Sequence, residues 1–274
     1  MATIYKDGDL SLSHSKEKDP SANNYILHVH EFYEVLCFVA GNADYLVEGR
    51  KYHMYPGCIM IMRPAEIHKL AIKGKGTYER YVLEFRVDTL KQLGFSEDML
   101  AAFTKRELGE KNQYLPNEFP GFDTIGFFKQ LEEECGRLDG RQTMMSNISF
   151  LLCALNLAFL KKSTDTNTDT TVGKELISYV NENLTRDISL SSVSEYVHMS
   201  PSQVNRIFKR LTGTSVYDYI LSKRLVMVRE MIEAGEGAVA ASQMCGFGDY
   251  SSFYRLYKKR TGQAPGDVKK NIRS

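Results

Sequence analysis

The C-terminal third of the chain contains one pattern twice, Ser200-Pro-Ser-Gln-Val-Asn-Arg-Ile-Phe-Lys-Arg-Leu-Thr-Gly213 and Asp249-Tyr-Ser-Ser-Phe-Tyr-Arg-Leu-Tyr-Lys-Lys-Arg-Thr-Gly262. Three positions of the first copy have a counterpart 49 positions later. They are its first residue (Ser200, matched by Asp249), its central arginine and its closing glycine. Agreement at three landmarks indicates an internal repeat, which is the first feature to look for in a sequence.

Both copies carry signals that begin and end a helix. Ser200 suits an N-cap, Pro201 suits the first helical position, and Gln203 stands where a capping box needs its amide. Asp249 is the N-cap candidate of the second copy. The closing glycines permit the left-handed conformation that often ends a helix. Each predicted helix has one apolar face and one face of basic and small polar side chains.

Each of these helices follows a shorter helical segment, at 190–197 and at 238–244. Two helices joined by a tight turn, the second bearing basic side chains, are typical of a helix-turn-helix. Residues 215–234 predict a connecting helix that spans roughly 30 Å. This length approaches one turn of B-DNA, about 34 Å, so both helices could enter successive major grooves.

These residues resemble a known family. Residues 190–270 are similar to the DNA-binding domain of AraC/XylS-type transcription regulators through the words Ser200…Arg206-Ile207-Phe208-Lys209…Gly213, Tyr219-Ile220…Arg224-Leu225, Gly246-Phe247-x-Asp249…Phe253-Tyr254-Arg255 and Lys258-Lys259…Gly262-x-x-Pro265. The chain departs from the family at Ala241-Ser242, usually Ile-Ala, and at Tyr257, usually Phe. The resemblance implies that this region binds double-stranded DNA.

The resemblance also assigns contacts. It implies that bases are faced by Ser202, Asn205 and Arg206 from the first helix and by Tyr250, Ser251, Ser252 and Arg255 from the second. Phosphates are expected to be met by Lys209, Arg210, Lys258 and Lys259. The charge distribution agrees, because residues 172–274 hold 15 Lys and Arg against 10 Asp and Glu, whereas residues 1–171 hold 20 against 24. Phosphate contact requires such a basic region.

From Asn24 to about Asp88 the hydrophobic period changes to two, which predicts short strands separated by turns. Glu48-Gly49-Arg50 predicts a tight hairpin. We therefore expect an α+β protein of two domains, with an N-terminal antiparallel cupin-like β-barrel followed by helices and an all-α C-terminal domain with two helix-turn-helix units. The expected boundaries are 1–95 for the effector-binding barrel, 96–162 for a helical segment, 163–171 for a Thr/Asp linker and 172–274 for DNA binding.

A polar cluster is predicted within these strands. If residues 28–38 form one continuous strand, His28, His30 and Glu34 share a face. His28-x-His30-x-x-x-Glu34 looks like the first cupin motif, and Pro64 to His68 resembles the second. The four side chains could hold a divalent transition metal. The alternative is a metal-free pocket in which they bond an effector or one another. For Arg63, Arg80 and Arg86 the sequence does not distinguish pocket from surface.

The remaining features indicate a cytoplasmic protein. The five cysteines are scattered, which favours reduced thiols over a zinc site or a disulfide framework. The N-terminus lacks the apolar core of a signal peptide. The apolar run 144–160 is interrupted by polar residues, so we expect a buried or dimer-forming helix and no membrane partner. Packing of this helix on the barrel and dimerisation through it both remain open.

The sequence thus predicts a transcription regulator, most readily an activator, that is controlled by a small-molecule effector such as a sugar. A homodimer and a contact with RNA polymerase are among the partners that the resemblance implies. Two alternatives stay open. One is a cupin metalloenzyme, an oxygenase or isomerase, fused to a DNA-binding module. The other is an architectural DNA-binding protein, which leaves the barrel without a role.

Overall fold

The computed structural model describes residues 2–20, 29–92, 94–135, 139–162, 172–212, 214–261 and 263–268. Their contacts divide the chain into two compact units, residues 1–28 with 32–169 and residues 29–31 with 170–274. The first unit holds the strands and the second is helical, which confirms the α+β class with two domains.

The first unit combines two antiparallel sheets with helices. Its strands are β1 (Ala2–Asp7), β2 (Leu10–Lys18), β3 (Tyr33–Ala40), β4 (Ala43–Val47), β5 (Arg50–His53), β6 (Ile59–Met62), β7 (His68–Ile72), β8 (Thr77–Phe85) and β9 (Gln113–Tyr114). Its helices are α1 (Val87–Gln92), α2 (Ala101–Thr104), α3 (Thr124–Cys135) and α4 (Gly140–Lys162), with 3₁₀ turns at Glu97–Leu100 and Pro116–Glu118.

The sheets have the strand orders β1-β2-β8-β3-β6-β9 and β5-β4-β7. Side chains from both sheets form one apolar cluster, including Leu36, Met60 and Val82 from the larger sheet and Val47 and Leu70 from the smaller. Within the described residues no hydrogen-bonded ladder joins the two sheets. The cupin-like domain therefore has two sheets that face each other across a shared core.

The opposite face of the larger sheet packs against helices. Val35 and Leu83 share a second apolar cluster with Phe128 of α3 and with Ile148 and Leu152 of α4. By length and composition α4 could cross a membrane. Its buried face is instead part of this core, as expected for one of the two roles considered for the apolar run. The other face of α4 is exposed.

The sequence analysis was correct for some strands and incomplete for others. The hairpin at Glu48-Gly49 is confirmed, with φ of 47° and 83° at these residues and β4 paired to β5. Positive φ at both central residues is typical of a type I′ turn. Strands β1 and β2 were not predicted, although the alternation of Leu10 and Leu12 is a signal for the second.

The condition under which His28, His30 and Glu34 would share a face, one continuous strand over 28–38, is not met in its described part. Val29 and His30 lie in no strand, and β3 begins at Tyr33, where pairing with Phe85 of β8 starts. Alternating residue types indicate an extended chain, but a strand also needs a neighbour to accept its hydrogen bonds. His28 and the linker 163–171 lie outside the described residues. In segment 96–162, expected to be helical, β9 is an exception.

The second unit contains the repeated helices. They are α5 (Val172–Glu182), α6 (Leu190–Tyr196), α7 (Pro201–Thr212), α8 (Val216–Glu233), α9 (Ala238–Met244) and α10 (Tyr250–Thr261), followed by a 3₁₀ turn at Pro265–Asp267. Helix α10 begins and ends 49 residues after α7. The repeat seen in the sequence is therefore a structural repeat, with α6–α7 and α9–α10 as its two helix pairs and α8 as the connecting helix.

The predicted N-caps are present. The Ser200 hydroxyl accepts the N–H of Gln203 at 3.3 Å, and Oε1 of the Gln203 side chain accepts the N–H of Ser200 at 3.2 Å, which completes the capping box. Asp249 accepts the N–H of Ser252 at 2.7 Å. Gly213 and Gly262, the predicted C-terminal glycines, lie outside the described residues.

Two buried tyrosines in this unit differ in how their hydroxyls are satisfied. Tyr219 and Tyr257 are both fully buried. The Tyr219 hydroxyl donates to Oδ1 of Asn181 at 3.1 Å. The Tyr257 hydroxyl has no hydrogen-bond partner among the described residues. A buried polar group without a partner costs free energy, so the hydroxyl that departs from the family's usual Phe destabilises the fold.

We predict that Tyr257→Phe raises the free energy of unfolding by about 1 kcal/mol and that Tyr219→Phe lowers it by a similar amount. Urea unfolding of the full chain, followed by the circular dichroism signal of its helices, measures the free energy of unfolding of each variant. Tyr219→Phe is the matched control, since it removes the same atom from an equally buried ring. An equal loss of stability in both variants would contradict the prediction.

Candidate DNA-recognition surface and effector site

Helices α7 and α10 each bury one face and expose the other. Val204 and Phe208 are buried on α7, as are Phe253 and Tyr257 on α10. The exposed residues include most of the predicted DNA contacts, namely Ser202, Arg206, Lys209, Arg210, Ser251, Ser252, Arg255, Lys258 and Lys259. Apolar side chains at helical spacing turn each helix onto its core, so the basic residues between them face solvent.

Two of the predicted base contacts are only half exposed. Asn205 uses Oδ1 to accept the N–H of Val216, the first residue of α8, at 3.2 Å. Pairing with adenine needs both the oxygen and the nitrogen of the amide. This contact ties the middle of α7 to the start of the connecting helix and occupies the oxygen that adenine would need. Tyr250 packs against Phe253, with ring centroids 5.7 Å apart.

The sequence analysis assigned no role to three residues on or beside α7 and α10, which we call the recognition helices. Tyr254 is partly exposed on α10, between Ser251 and Arg255. Arg260 at the end of α10 donates to Oδ1 of Asp218 in the first turn of α8 at 3.1 Å. Only the folded chain brings these last two residues together, because they are 42 positions apart.

The first unit contains polar side chains within its apolar interior. Glu34 on β3 and His68 on β7 are almost completely buried, and Nε2 of His68 lies 3.7 Å from Oε2 of Glu34. Nδ1 of His68 lies 2.8 Å from the carbonyl oxygen of Glu66. A carbonyl oxygen only accepts, so Nδ1 carries the proton and donates. Nε2 is therefore the ring nitrogen that faces the Glu34 carboxylate.

Tyr45 and Arg80 extend this interior group. Tyr45 stacks near His68, with ring centroids 6.0 Å apart. Its hydroxyl accepts a hydrogen bond from Nη1 of Arg80 at 3.2 Å. Burial raises the pKa of Tyr45 well above its usual value, and the nearby Glu34 carboxylate raises it further. The hydroxyl therefore stays protonated at neutral pH, and the group combines hydrogen-bond donors and acceptors beside aromatic rings.

A buried ion pair holds the loop that positions His68. Both guanidinium Nη atoms of Arg106 donate to the Glu66 carboxylate at 2.7 Å, and the N–H of Gly109 donates to it at 2.9 Å. Burial alone would raise the pKa of Glu66, but these donors and the Arg106 charge lower it to about 2. The carboxylate remains ionised, and the backbone carbonyl of the same residue orients the imidazole.

The other two arginines have local roles. Nη1 of Arg63 donates to the carbonyl oxygens of Phe103 and Arg106 at 3.4 and 3.2 Å. The guanidinium of Arg86 lies 4.8 Å from the centre of the Phe32 ring. Arg80 is thus the arginine for which the described contacts show a hydrogen bond to the interior group, a distinction that the sequence could not make.

The structure brings together part of the predicted metal set. Glu34 and His68 lie together in the first unit, with Nε2 of His68 3.7 Å from Oε2 of Glu34, whereas His30 belongs to the second unit. An imidazole and a carboxylate are donors that suit divalent transition metals. The hydrogen bond from His68 Nδ1 is the outer contact that ligating imidazoles usually make. The residues present therefore fit a metal, and they fit hydroxyl groups of an organic ligand equally well.

Comparison with protein families and relatives agrees with both halves of this description. Residues 16–106 match the AraC-like ligand binding domain, and residues 193–271 match a helix-turn-helix domain. The HTH-type transcriptional activator RhaS of Escherichia coli is 21% identical over 256 residues, covering 88% of this chain and 86% of RhaS. The uncharacterized HTH-type transcriptional regulator YfiF of Bacillus subtilis is 22% identical over 258 residues, covering 89% and 78%.

Among solved structures, fatty-acid-bound ToxT from Vibrio cholerae aligns over 95% of each chain with a TM-score of 0.42 and 13% identity. RhaS and YfiF are described as transcription regulators, which supports a regulator over the fused metalloenzyme. With a ligand-binding family at one end and a DNA-binding family at the other, this chain belongs to the AraC family of ligand-controlled, DNA-binding transcription regulators.

Proposed function

We propose that this regulator reads two successive major grooves of double-stranded DNA with α7 and α10. The observation that carries the proposal is that each helix buries its apolar face and exposes a row of basic and small polar side chains. Arg206 and Arg255 are the proposed base-reading arginines, because a guanidinium can bond two acceptors on guanine. Ser202, Ser251, Ser252 and Tyr250 complete the proposed base contacts. Asn205 acts chiefly as a tie to α8.

Phosphate contacts are proposed for the exposed cations that follow on each helix. Lys209 and Arg210 lie in the last turn of α7, and Lys258 and Lys259 lie in the last turn of α10. Contacts to phosphate give affinity and register without sequence preference, whereas contacts to base edges give specificity. The two classes of residue therefore predict different consequences when they are removed.

We predict that Arg206→Ala lowers affinity for the preferred site by about 1–3 kcal/mol and relaxes base preference at one position. Lys258→Ala is expected to weaken all sequences alike and to reduce the salt slope of binding by about 0.9. Selection from random DNA identifies the preferred site, and fluorescence anisotropy at several salt concentrations measures affinity. If both variants reduced binding to preferred and random DNA by the same factor, the assignment would be wrong.

We propose that the effector site lies in the strand-bearing segment, residues 1–95. Residues 96–162 are the proposed helical segment, 163–171 the linker and 172–274 the DNA-binding domain. Glu34, His68, Tyr45 and Arg80 supply donors and acceptors in the sheet interior. Hydrogen-bonding groups beside aromatic rings suit a polyhydroxylated ligand, so we propose a sugar or a related metabolite. Ligand binding regulates by favouring one arrangement of the protein over another.

We predict that at least one member of a monosaccharide panel shifts the DNA affinity of the full-length protein and that Glu34→Gln abolishes this shift without changing affinity in the absence of sugar. Asp44→Asn is the matched control. Asp44 is as buried as Glu34 but is paired with Lys73, on the opposite face of β4 from Tyr45. A response that survives Glu34→Gln, or one lost equally in Asp44→Asn, would contradict the proposed site.

The same preparations test the metal. Elemental analysis of protein purified without added metal is expected to give about one equivalent of a transition metal per chain if His68 and Glu34 are ligands, and His68→Ala would then lose it. A stoichiometry near zero in the wild type would assign these side chains to the organic effector alone.

A homodimer is proposed through the exposed face of α4. Phe150, Leu157 and Leu160 are 54%, 62% and 64% exposed, which is unusual for large apolar side chains on one helix face. With the exposed Cys153 they follow a spacing of three, four and three residues. This is the alternation by which helices pair along a coiled-coil seam. The opposite face of α4 is already buried in the core.

We predict that Leu157→Glu converts a dimer into a monomer in analytical ultracentrifugation, because it places a charge in an apolar seam. Gln130→Glu, which adds the same charge at an exposed position of α3, is the control. Mild oxidation is expected to link two wild-type chains through Cys153 and to leave Cys153→Ser unlinked. A wild-type monomer at micromolar concentration would exclude this interface.

The remaining assignments rest on the relatives. We propose activation of transcription, since RhaS is an HTH-type transcriptional activator. An activator of this kind acts in the cytoplasm and contacts RNA polymerase, and we propose both for this chain.

A further inference from the structure

One side chain of the connecting helix joins the turn before the first helix-turn-helix to the turn within the second. Arg224 lies near the middle of α8 and donates to three backbone carbonyl oxygens. Nε donates to Leu184 at 2.7 Å, Nη2 to Arg186 at 2.6 Å and Nη1 to Gly246 at 2.7 Å. The first two acceptors lie in the turn between α5 and α6, before the first helix-turn-helix. The third lies in the turn between α9 and α10.

The second turn is shaped around this guanidinium. Gly246 has φ of 83°, a conformation that side chains rarely adopt. A Cβ atom at Gly246 would lie 2.8 Å from Cζ and Nη2 of Arg224, so the glycine also provides the space for the contact. The ring of Phe247 packs beside the guanidinium at 6.0 Å. The close approach is therefore built into the backbone of the second unit.

The turn between α8 and α9 is held only by local backbone bonds among the described contacts, in which Gly235 N–H donates to Ile232 at 3.1 Å and Glu236 N–H to Met231 at 3.0 Å. Residues 234–237 read Ala-Gly-Glu-Gly, and Gly235 has φ of 111°. Glycines leave a connection conformationally permissive. Charge-assisted hydrogen bonds to carbonyl oxygens are among the stronger polar contacts, and the planar guanidinium directs them at fixed angles. Arg224 adds to the local bonds of this turn a side-chain restraint that joins the turn before α6 to the turn between α9 and α10.

We propose that Arg224 is a positioning residue that sets the spacing between the two recognition helices, and so the half-site spacing that the protein accepts on DNA. The proposal rests on the proposed function, in which α7 and α10 touch one duplex. A half-site spacing is defined by the distance and angle between the two helices. Loss of the restraint lets the second helix pair reach half-sites at neighbouring spacings.

The test uses the full chain and duplexes in which the two half-sites found by selection are separated by spacers that differ by one base pair. Arg224→Lys keeps the charge but cannot donate to three carbonyls in the planar arrangement. We expect the wild type to prefer one spacing, and Arg224→Lys to lose about tenfold of that preference. Base preference within each half-site is expected to stay unchanged.

Gly246→Ala provides a second route to the same state, because its Cβ displaces the guanidinium. We expect it to flatten the spacing preference as Arg224→Lys does. Gly248→Ala is the matched control, since a Cβ there meets no atom within 4 Å. Ratios of affinity between spacers are measured on one preparation, so a fraction of unfolded protein cancels from them.

The outcomes separate the two proposals. A wild type without any spacing preference would overturn the reading of one duplex by both helices. A wild type with a clear preference that Arg224→Lys and Gly246→Ala leave intact would overturn the positioning role alone. A uniform loss of affinity at every spacing, with unchanged ratios, would assign Arg224 to stability and would also overturn the positioning role.

Discussion

Burial of one face of each recognition helix is the constraint on which the DNA-binding half depends. Phe208 packs edge-on against Tyr219 of the connecting helix, with ring centroids 5.0 Å apart. Phe253 and Tyr257 enter a cluster with Val228 and Ile232 of the same connecting helix. Apolar burial fixes the rotation of α7 and α10 about their axes, and the basic residues are exposed as a consequence.

The first unit depends on a different balance. Its sheets bury apolar side chains on both sides of the larger sheet, yet Glu34, Glu66 and His68 are also buried. A buried charge is tolerated when it is paired and hydrogen-bonded. Glu66 meets this condition through Arg106 and the N–H of Gly109, and its own carbonyl oxygen then fixes the imidazole of His68. The structural ion pair and the proposed effector site are therefore parts of one arrangement.

The two halves differed in how far the sequence could predict them. Helix caps and apolar spacing are local signals, so α7 and α10 were predicted at Ser200 and Asp249 and found there. Strand pairing is not local. The alternation in residues 28–38 indicated an extended chain, but only the position of β8 decides that the ladder begins at Tyr33. Strand β1 was missed because it has no buried residue to mark one face, whereas the alternation of Leu10 and Leu12 in β2 was a signal that went unused.

The sequence by itself determined the repeat, the helix-turn-helix pairs, their exposed cations and the polar residues of the cupin-like words, because these follow from spacing along the chain. Only the tertiary structure decided that Arg80 rather than Arg63 reaches Tyr45, that Asn205 binds Val216, and that Arg224 joins two turns. Such contacts join residues up to 40 positions apart through a backbone path that the spacing of residue types does not encode.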